Sequence, residues 1–169
     1  MESLRRASRA YRQHRHTVHA VARDVAIGLS WLPVAVWTSQ HVVSLSVVDG
    51  QSMTPTLNPD SNELVRDVVA VWKWRRSDAA RAARDDIVVL RSPRDPETEV
   101  VKRVVAVGGD VVRSRGRGTL QRVPEGHIWV EGDNVHSIDS NHYGPVSEGL
   151  VVGRVTHVVF PPSRLGPVH

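Results

Sequence analysis

The chain has no cysteine, and only two of its 22 cationic side chains are lysines, the other twenty being arginines. The absence of cysteine excludes disulfide bridges, thiolate catalysis and zinc sites built from cysteine, and it gives no indication of the redox compartment. The scarcity of lysine draws attention to Lys102, because that residue lies in a valine-rich, strand-like run where arginine would serve if only charge were needed.

Lys102 is predicted to share one face of its strand with Val100 and Val104. Arginine stays protonated in proteins, whereas a lysine that is desolvated between valines can lose its proton and act as a base near neutral pH. The alternative is an ordinary surface ion pair between Lys102 and Glu99 or Asp110. The sequence alone leaves both readings open.

Ser52 is the predicted partner of such a base. It lies in the Gly- and Pro-flanked stretch 49–55, directly after the apolar run 42–48. Serine with lysine is a recognised variant of the nucleophile and base pair. A serine in such a loop is more often a simple turn former, so the interpretation of Ser52 as a nucleophile depends on Lys102.

The positive charge is concentrated at the N-terminus. Residues 1–23 contain six arginines and one acidic residue and so carry +5, which leaves −1 for the remainder of a chain whose net charge is +4. Because nucleic-acid binding needs a basic face that neutralises phosphates, no nucleic-acid partner is predicted for the folded part. At 169 residues the chain has room for one domain with a core, together with a tail or anchor.

Residues 1–23 are basic, poor in acids and typical of a mitochondrial targeting segment, although a disordered basic tail fits equally well. Residues 24–46 follow as a predicted membrane-anchor helix. A full crossing takes about 20 apolar residues, and this segment reaches that length only by including Ser39, Gln40 and His41. If it spans, everything after residue 48 lies on the face opposite the arginines. A buried helix followed by a strand is the alternative.

The remainder, residues 47–169, is predicted to be a mainly β domain of many short strands, sandwich-like or barrel-like. Valine dominates the runs, and Gly, Pro, Asn and Asp clusters separate them. One helical patch is predicted at 77–84, with Ser77 as its N-cap. The candidate strands are Ser46 to Asp49, Glu63 to Trp72, Ile87 to Arg91, Glu99 to Val107, Asp110 to Arg113, His127 to Glu131 and Leu150 to Phe160.

Three segments occur in the order seen in type I signal peptidases: Ser52-Met53 with Pro55, Lys102 to Asp110, and Gly132 to Pro145. The resemblance covers nearly the whole chain. More narrowly, Glu131-Gly-Asp with Asp139-Ser-Asn141, and the closing segment Phe160 to Arg164, resemble the mitochondrial inner-membrane branch of this family. The resemblance therefore implies a membrane-anchored serine endopeptidase that removes signal or sorting peptides.

The resemblance also implies roles for single residues. Ser52 matches the nucleophile, whose own N–H is one oxyanion donor, and Lys102 matches the general base. Ser137 matches a serine that hydrogen-bonds the lysine amine, and Asp139 an aspartate that stabilises the surrounding loop. Two positions depart from the broader family. Gly50 stands where some bacterial relatives place a serine with a second oxyanion donor, and Asn141 replaces the usual arginine.

For substrate recognition, an extended peptide is expected to add to a strand edge near residues 46–50 and the Lys102 strand. By resemblance, the residues before the cleaved bond are small, and the side chains that wall their sites are Val48, Met53, Leu57 and Val101. Ordinary core packing is the alternative for all four. No metal site or cofactor is predicted, since the nine histidines are scattered and none pairs with an acid at convincing ligand spacing.

The implied location is the mitochondrial inner membrane, crossed once, with the catalytic domain facing the intermembrane space. The implied partners are precursor proteins, the membrane and another catalytic subunit in a heterodimer. Two alternatives stay open. One is a bacterial-type signal peptidase, and the other is a catalytically inactive, membrane-anchored subunit that binds peptides.

Overall fold

The structure is a computed structural model, and it describes residues 23–59, 65–73, 82–115 and 118–168. The chain divides into two compact units between Gln40 and His41. Residues 77–81 of the predicted helical patch 77–84 lie outside the described residues, as does the basic segment before Arg23, and residues 82–84 are not helical.

The first unit is helical over residues 23–30, and helix α1 follows at Leu32–His41. Pro33 occupies the first turn of α1, where its missing N–H costs no helical hydrogen bond. Among the described residues, no helix combines the length and the apolar character that a bilayer crossing requires. The helix also ends at His41, before the end of the predicted segment 24–46, because the residues that follow pair as a strand.

The second unit is mainly β, as predicted. Its described residues form an eight-stranded antiparallel sheet, curled as a half-barrel and ordered β1-β2-β9-β3-β4-β7-β8 with β10 beside β9, and a separate β5-β6 hairpin. A short helix α2 spans Ser140–Tyr143. The strands are β1 (Val43–Val47), β2 (Val68–Lys73), β3 (Ile87–Arg91), β4 (Glu99–Val107), β5 (Val111–Arg113), β6 (Leu120–Arg122), β7 (His127–Glu131), β8 (Val146–Ser147), β9 (Val151–Phe160) and β10 (Gly166–Pro167).

The predicted bounds of β3, β4 and β7 are correct at both ends. The predicted strand 46–49 starts too late, because the paired residues of β1 begin at Val43. Strand β2 begins at Val68, so residues 65–67 of the predicted strand are not part of it, while residues 63 and 64 lie outside the described ranges. Strands β5 and β9 each begin one residue later than predicted. The strands β6, β8 and β10 and the helix α2 were not predicted.

Apolar side chains pack on both faces of the sheet, and β3 contributes to both. Ile87 and Val89 belong to a first cluster with Val48, Met53, Leu57 and other residues, whereas Val88 and Leu90 belong to a second cluster with Val104, Ile128 and Val130. A strand that is buried on both faces reads as a continuous apolar run, as β3 does. Strand β4 pairs with β3 and places Lys102 opposite Val88, a residue of the second apolar cluster.

Candidate active site

Ser52 lies in the loop that joins β1 to β2, and Asn58 fixes the base of this loop. The Asn58 side-chain amide donates to the Val48 carbonyl at 2.8 Å, while its oxygen accepts from the Asp67 N–H at 2.8 Å. Asn58 has a φ of 49°, a left-handed conformation that asparagine tolerates better than most residues. The two ends of the loop are thereby held together.

A buried carboxylate, Asp67, supports the same loop. It accepts from the Asn58 N–H at 2.8 Å and forms an ion pair with Arg164, which in turn donates to the Thr56 carbonyl at 2.8 Å. A buried charge needs such pairing and hydrogen bonding to be tolerated. The closing segment Phe160 to Arg164 therefore anchors the loop that carries Ser52.

A second loop, between β7 and α2, contacts the Ser52 loop through Asn134. The Asn134 N–H donates to the Ser52 carbonyl at 3.1 Å, and its side-chain amide donates to the Gln51 carbonyl at 3.0 Å. These bonds reach the carbonyl groups before and after the Ser52 Cα atom, so they fix the orientation of the backbone that carries Ser52.

Gly132 is the spacer between these two loops. A Cβ atom at this position would lie 2.4 Å from the Ser52 carbonyl oxygen and 2.2 Å from the Ser137 Oγ atom. Only glycine fits at such a distance. No role for Gly132 was predicted from the motif in which it lies.

Lys102 is 3% exposed on β4. Val88 is its register partner on β3, and the predicted same-face neighbours Val100 and Val104 pack in the second apolar cluster. Burial lowers the pKa of Lys102, and the negative charge of Asp139 raises it in partial opposition, with a net lowering. A lowered pKa increases the fraction of neutral amine available at physiological pH.

The alternative of a surface ion pair is wrong. Glu99 is exposed at the start of β4, and the Asp110 carboxylate accepts from the Arg84 guanidinium and from the Val107 N–H at 2.8 Å. In the described part of the chain, Lys102 forms no ion pair with either acid. Its charge is therefore not compensated at the surface.

The neighbours of Lys102 in sequence connect β4 to the Ser52 loop. Val101 packs against the first apolar cluster, which includes Met53. Arg103 donates to the Thr56 hydroxyl at 3.3 Å and forms a bidentate pair with Asp133 at 2.9 and 2.8 Å. The structure thus brings together the segments that carry the two predicted catalytic residues.

Arg103, Asp133 and Thr56 form a polar network that was not predicted from the sequence. Burial alone would raise the pKa of Asp133, but hydrogen bonds from Arg103 and Thr56 lower it, the Thr56 hydroxyl donating at 2.6 Å. The sequence did contain one signal for this pair: Arg103 directly follows Lys102, and the oppositely charged Asp133 directly follows Gly132. A residue's place in a motif does not define where its side chain points, so the pairing could not be predicted from the sequence.

Ser137 and Asp139 are both buried, at 5% and 4% exposure. The Ser137 hydroxyl has no hydrogen-bond partner among the described residues. The Asp139 carboxylate accepts from the Gly132 N–H at 3.1 Å and from the Asn141 N–H at 3.1 Å, and it caps α2. Asp139 thereby ties the loop that starts at Gly132 to the helix that follows.

The remaining predicted residues are Gly50 and the four apolar residues expected to contact the substrate. Gly50 has a φ of +80° with open space around its Cβ position. Three of the predicted substrate-contacting residues are buried in the first apolar cluster, and the fourth packs against it, so contact with a substrate stays a prediction for Val48, Met53, Leu57 and Val101. Within the described ranges, no group of three or more His, Asp or Glu side chains is arranged to hold a metal ion.

Replacing Lys102 with methionine should raise the free energy of unfolding at pH 7 by about 1 kcal/mol, because a buried ammonium is removed without opening a cavity. The wild-type lysine has a lowered pKa in the folded state. The unfolded state therefore binds more protons between the folded pKa and the ordinary value, and wild-type stability rises with pH across that window.

The gain of the Lys102→Met chain should accordingly be greatest below the folded pKa and shrink above it. Urea unfolding of both chains at several pH values measures this difference. A methionine variant that is less stable than wild type at pH 7 would show that burial of the amine carries no cost.

Comparisons with known proteins identify the family of this chain. The family model described as signal peptidase, peptidase S26, matches residues 22–120 and 114–160. The chain is 48% identical over 141 residues to the mitochondrial inner membrane protease subunit 2 of Schizosaccharomyces pombe, which covers 82% of this chain and 76% of that protein. Proteins of the same name match from Saccharomyces cerevisiae, at 42% over 147 residues covering 85% and 83%, and from Homo sapiens, at 46% over 137 residues covering 79% and 76%. The chain therefore belongs to the S26 family of signal peptidases.

Proposed function

We propose that this protein is a membrane-anchored serine endopeptidase in which Ser52 is the nucleophile and Lys102 the general base. The observation that carries the proposal is the burial of Lys102 among valines, which lowers its pKa, on a strand connected to the Ser52 loop. Such an amine has no evident structural use, because it is costly to bury and forms no ion pair within the described ranges.

In the proposed reaction, the Ser52 hydroxyl oxygen attacks the scissile carbonyl while neutral Lys102 takes the hydroxyl proton. The Ser52 N–H stabilises the oxyanion, and the second donor must come from backbone or water, since Gly50 carries no hydroxyl. The lysine then gives its proton to the leaving amine, which leaves an acyl-enzyme. Finally Lys102 deprotonates a water molecule, whose oxygen attacks the ester carbonyl; the ester bond breaks, the acid product leaves, and Lys102 returns the proton to the Ser52 oxygen.

Two strand edges support the binding of an extended substrate. Among the described residues, β1 pairs only with β2, and residues 99–102 of β4 have no partner on the side where β7 pairs with 103–107. A peptide added at these edges gains main-chain hydrogen bonds, while alternate side chains enter pockets. We propose that small side chains precede the cleaved bond, in sites walled by the four residues named above.

We further propose that the enzyme is anchored in the mitochondrial inner membrane by a single span, with the β domain facing the intermembrane space and a second catalytic subunit as its partner. The names of the relatives support this location. Hydroxyl groups in the apolar helical segment bond to helix carbonyls, Ser30 to Ile27 at 2.7 Å and Thr38 to Val34 at 2.8 Å. Polar groups satisfied in this way are compatible with a lipid environment.

Ser52→Ala and Lys102→Arg should each lower cleavage of a peptide with alanine before the cleaved bond by about 10³-fold or more, with peptide binding retained, because each removes a reacting group. Steady-state cleavage and equilibrium binding by the full-length chain measure the two quantities. Lys73→Arg, which changes the other lysine, is the matched control and should keep full activity. Unchanged cleavage in both site variants would contradict the roles proposed for Ser52 and Lys102, and peptide binding without cleavage by the wild-type chain would favour the inactive, peptide-binding alternative.

Gly132→Ala tests the spacing between the two loops. The added methyl group meets Ser52 and Ser137, so cleavage should fall by about 100-fold, and unfolding should cost about 1 to 3 kcal/mol less than in wild type. Gly149→Ala is the control, since its Cβ meets only the Ser147 hydroxyl at 3.5 Å. Full activity in a folded Gly132→Ala chain would show that the loops are free to separate without consequence.

A further inference from the structure

The Asn141 side chain connects two buried carboxylates. Its amide nitrogen donates to Glu131 Oε1 at 3.0 Å and to Asp139 Oδ1 at 3.0 Å. The orientation of the amide is fixed by its other end, where the oxygen accepts from the Arg115 N–H at 2.7 Å. A flipped amide would place its donors against that N–H and its acceptor against the carboxylates.

Glu131 is 4% exposed and is itself fully engaged. Its Oε1 atom also accepts from the Trp129 indole N–H at 3.0 Å, and its Oε2 atom forms a 2.7 Å ion pair with the Arg115 guanidinium. The Arg115 side chain is 63% exposed, so the compensating cation is at the solvent side of the buried acid. A continuous series of contacts thus runs from the surface at Arg115 to Asp139, the acid whose charge acts on Lys102.

An amide suits this position for a chemical reason. It is neutral and has two N–H donors, so it can hold two carboxylates without cancelling the charge of either one. An arginine at the same position would neutralise Asp139 and weaken the field at Lys102. Here the Arg115 guanidinium pairs with Glu131 instead, and the Asp139 carboxylate accepts from the neutral N–H groups of Asn141 and Gly132.

We propose that Glu131, Asn141 and Arg115 are positioning residues that hold Asp139 beside Lys102, with the charge supplied by Arg115 and the directional hydrogen bonds by Asn141. The proposal rests on the proposed function, because it concerns the environment of the general base. It assigns a role in the reaction to three side chains that need not touch the substrate.

Other charged and titratable groups also face this region. The His142 ring lies 3.8 Å from the Asp139 carboxylate. Burial and the Asp139 charge raise the pKa of Tyr143 to about 12, and Arg94 lies 6.0 Å from its ring centroid. Histidine changes charge near neutral pH, so His142→Gln is used as the background. Glutamine also suits the third position of a capping box.

The experiment follows the charge of Lys102 directly. In the full-length chain with Lys73→Arg and His142→Gln, Lys102 is the single lysine, and its ¹³Cε signal reports its titration. Glu131→Gln should lower the midpoint by about 0.5 pH unit, since Asn141 loses its charged acceptor and holds Asp139 less firmly beside Lys102. Arg115→Gln, a change at an exposed side chain, should also lower the midpoint, because Glu131 loses the partner that holds it, whereas the direct loss of a cation would raise the midpoint. Glu97→Gln, an exposed acid in the β3–β4 turn, is the matched control and should leave the midpoint unchanged.

A second comparison tests transmission through Asn141. In an Asn141→Ala background the Glu131→Gln shift should largely disappear, whereas a direct field from Glu131 would persist. The acid limb of the kcat profile should move with the midpoint in each variant, with KM changed less than about twofold. Folded variants with unshifted midpoints, or shifts that survive Asn141→Ala, overturn the proposal. If the midpoints shift as expected but the chain cleaves no peptide, the proposed function is wrong and the positioning role still holds.

Discussion

The candidate site depends on the burial of one amine, that of Lys102, which costs free energy. An ammonium among valines is poorly solvated, so burial lowers the pKa of Lys102, while Asp139 limits the extent of the lowering. Strand β4 holds the residue in place because it pairs with β3 along its first half and with β7 along its second. Burial of Lys102 is therefore energetically unfavourable by itself, and the surrounding sheet stabilises the fold enough to tolerate it. Such local destabilisation is common at sites where a protein performs chemistry.

Fixed loops are the second requirement, and here backbone-directed hydrogen bonds add to the packing of Met53 and Leu57 in the first apolar cluster. Asn58 and Asp67 secure the base of the Ser52 loop, and Asn134 secures the peptide bond before Ser52. Gly132 then sets the distance between the two loops. A nucleophile held to within a fraction of an ångström needs such support, since small displacements in a reacting geometry are costly.

The sequence predicted the parts of this molecule whose signals are local. Strands β3, β4 and β7 are mostly apolar runs with clear turn residues at their ends, and their bounds were correct. Strands β8 and β10 are two residues long and are defined by their pairing partners, so no periodicity could indicate them. At the site, motifs identified Ser52, Lys102, Ser137 and Asp139 as candidates. The pairing of Arg103 with Asp133, and the bridge from Asn141 to Glu131, depend on side-chain directions that only the folded chain defines.

The account depends on the protonation of one nitrogen, and the scarcity of lysine makes that nitrogen accessible to measurement. In the Lys73→Arg chain, labelled with ¹³Cε lysine, the pH titration of the remaining side-chain signal reports Lys102 alone. The account predicts a midpoint well below the ordinary lysine value of about 10.4, in a chain whose fold is unchanged. A midpoint at or above that value would mean that Lys102 stays protonated at neutral pH, and it would contradict the assignment of this residue as the base.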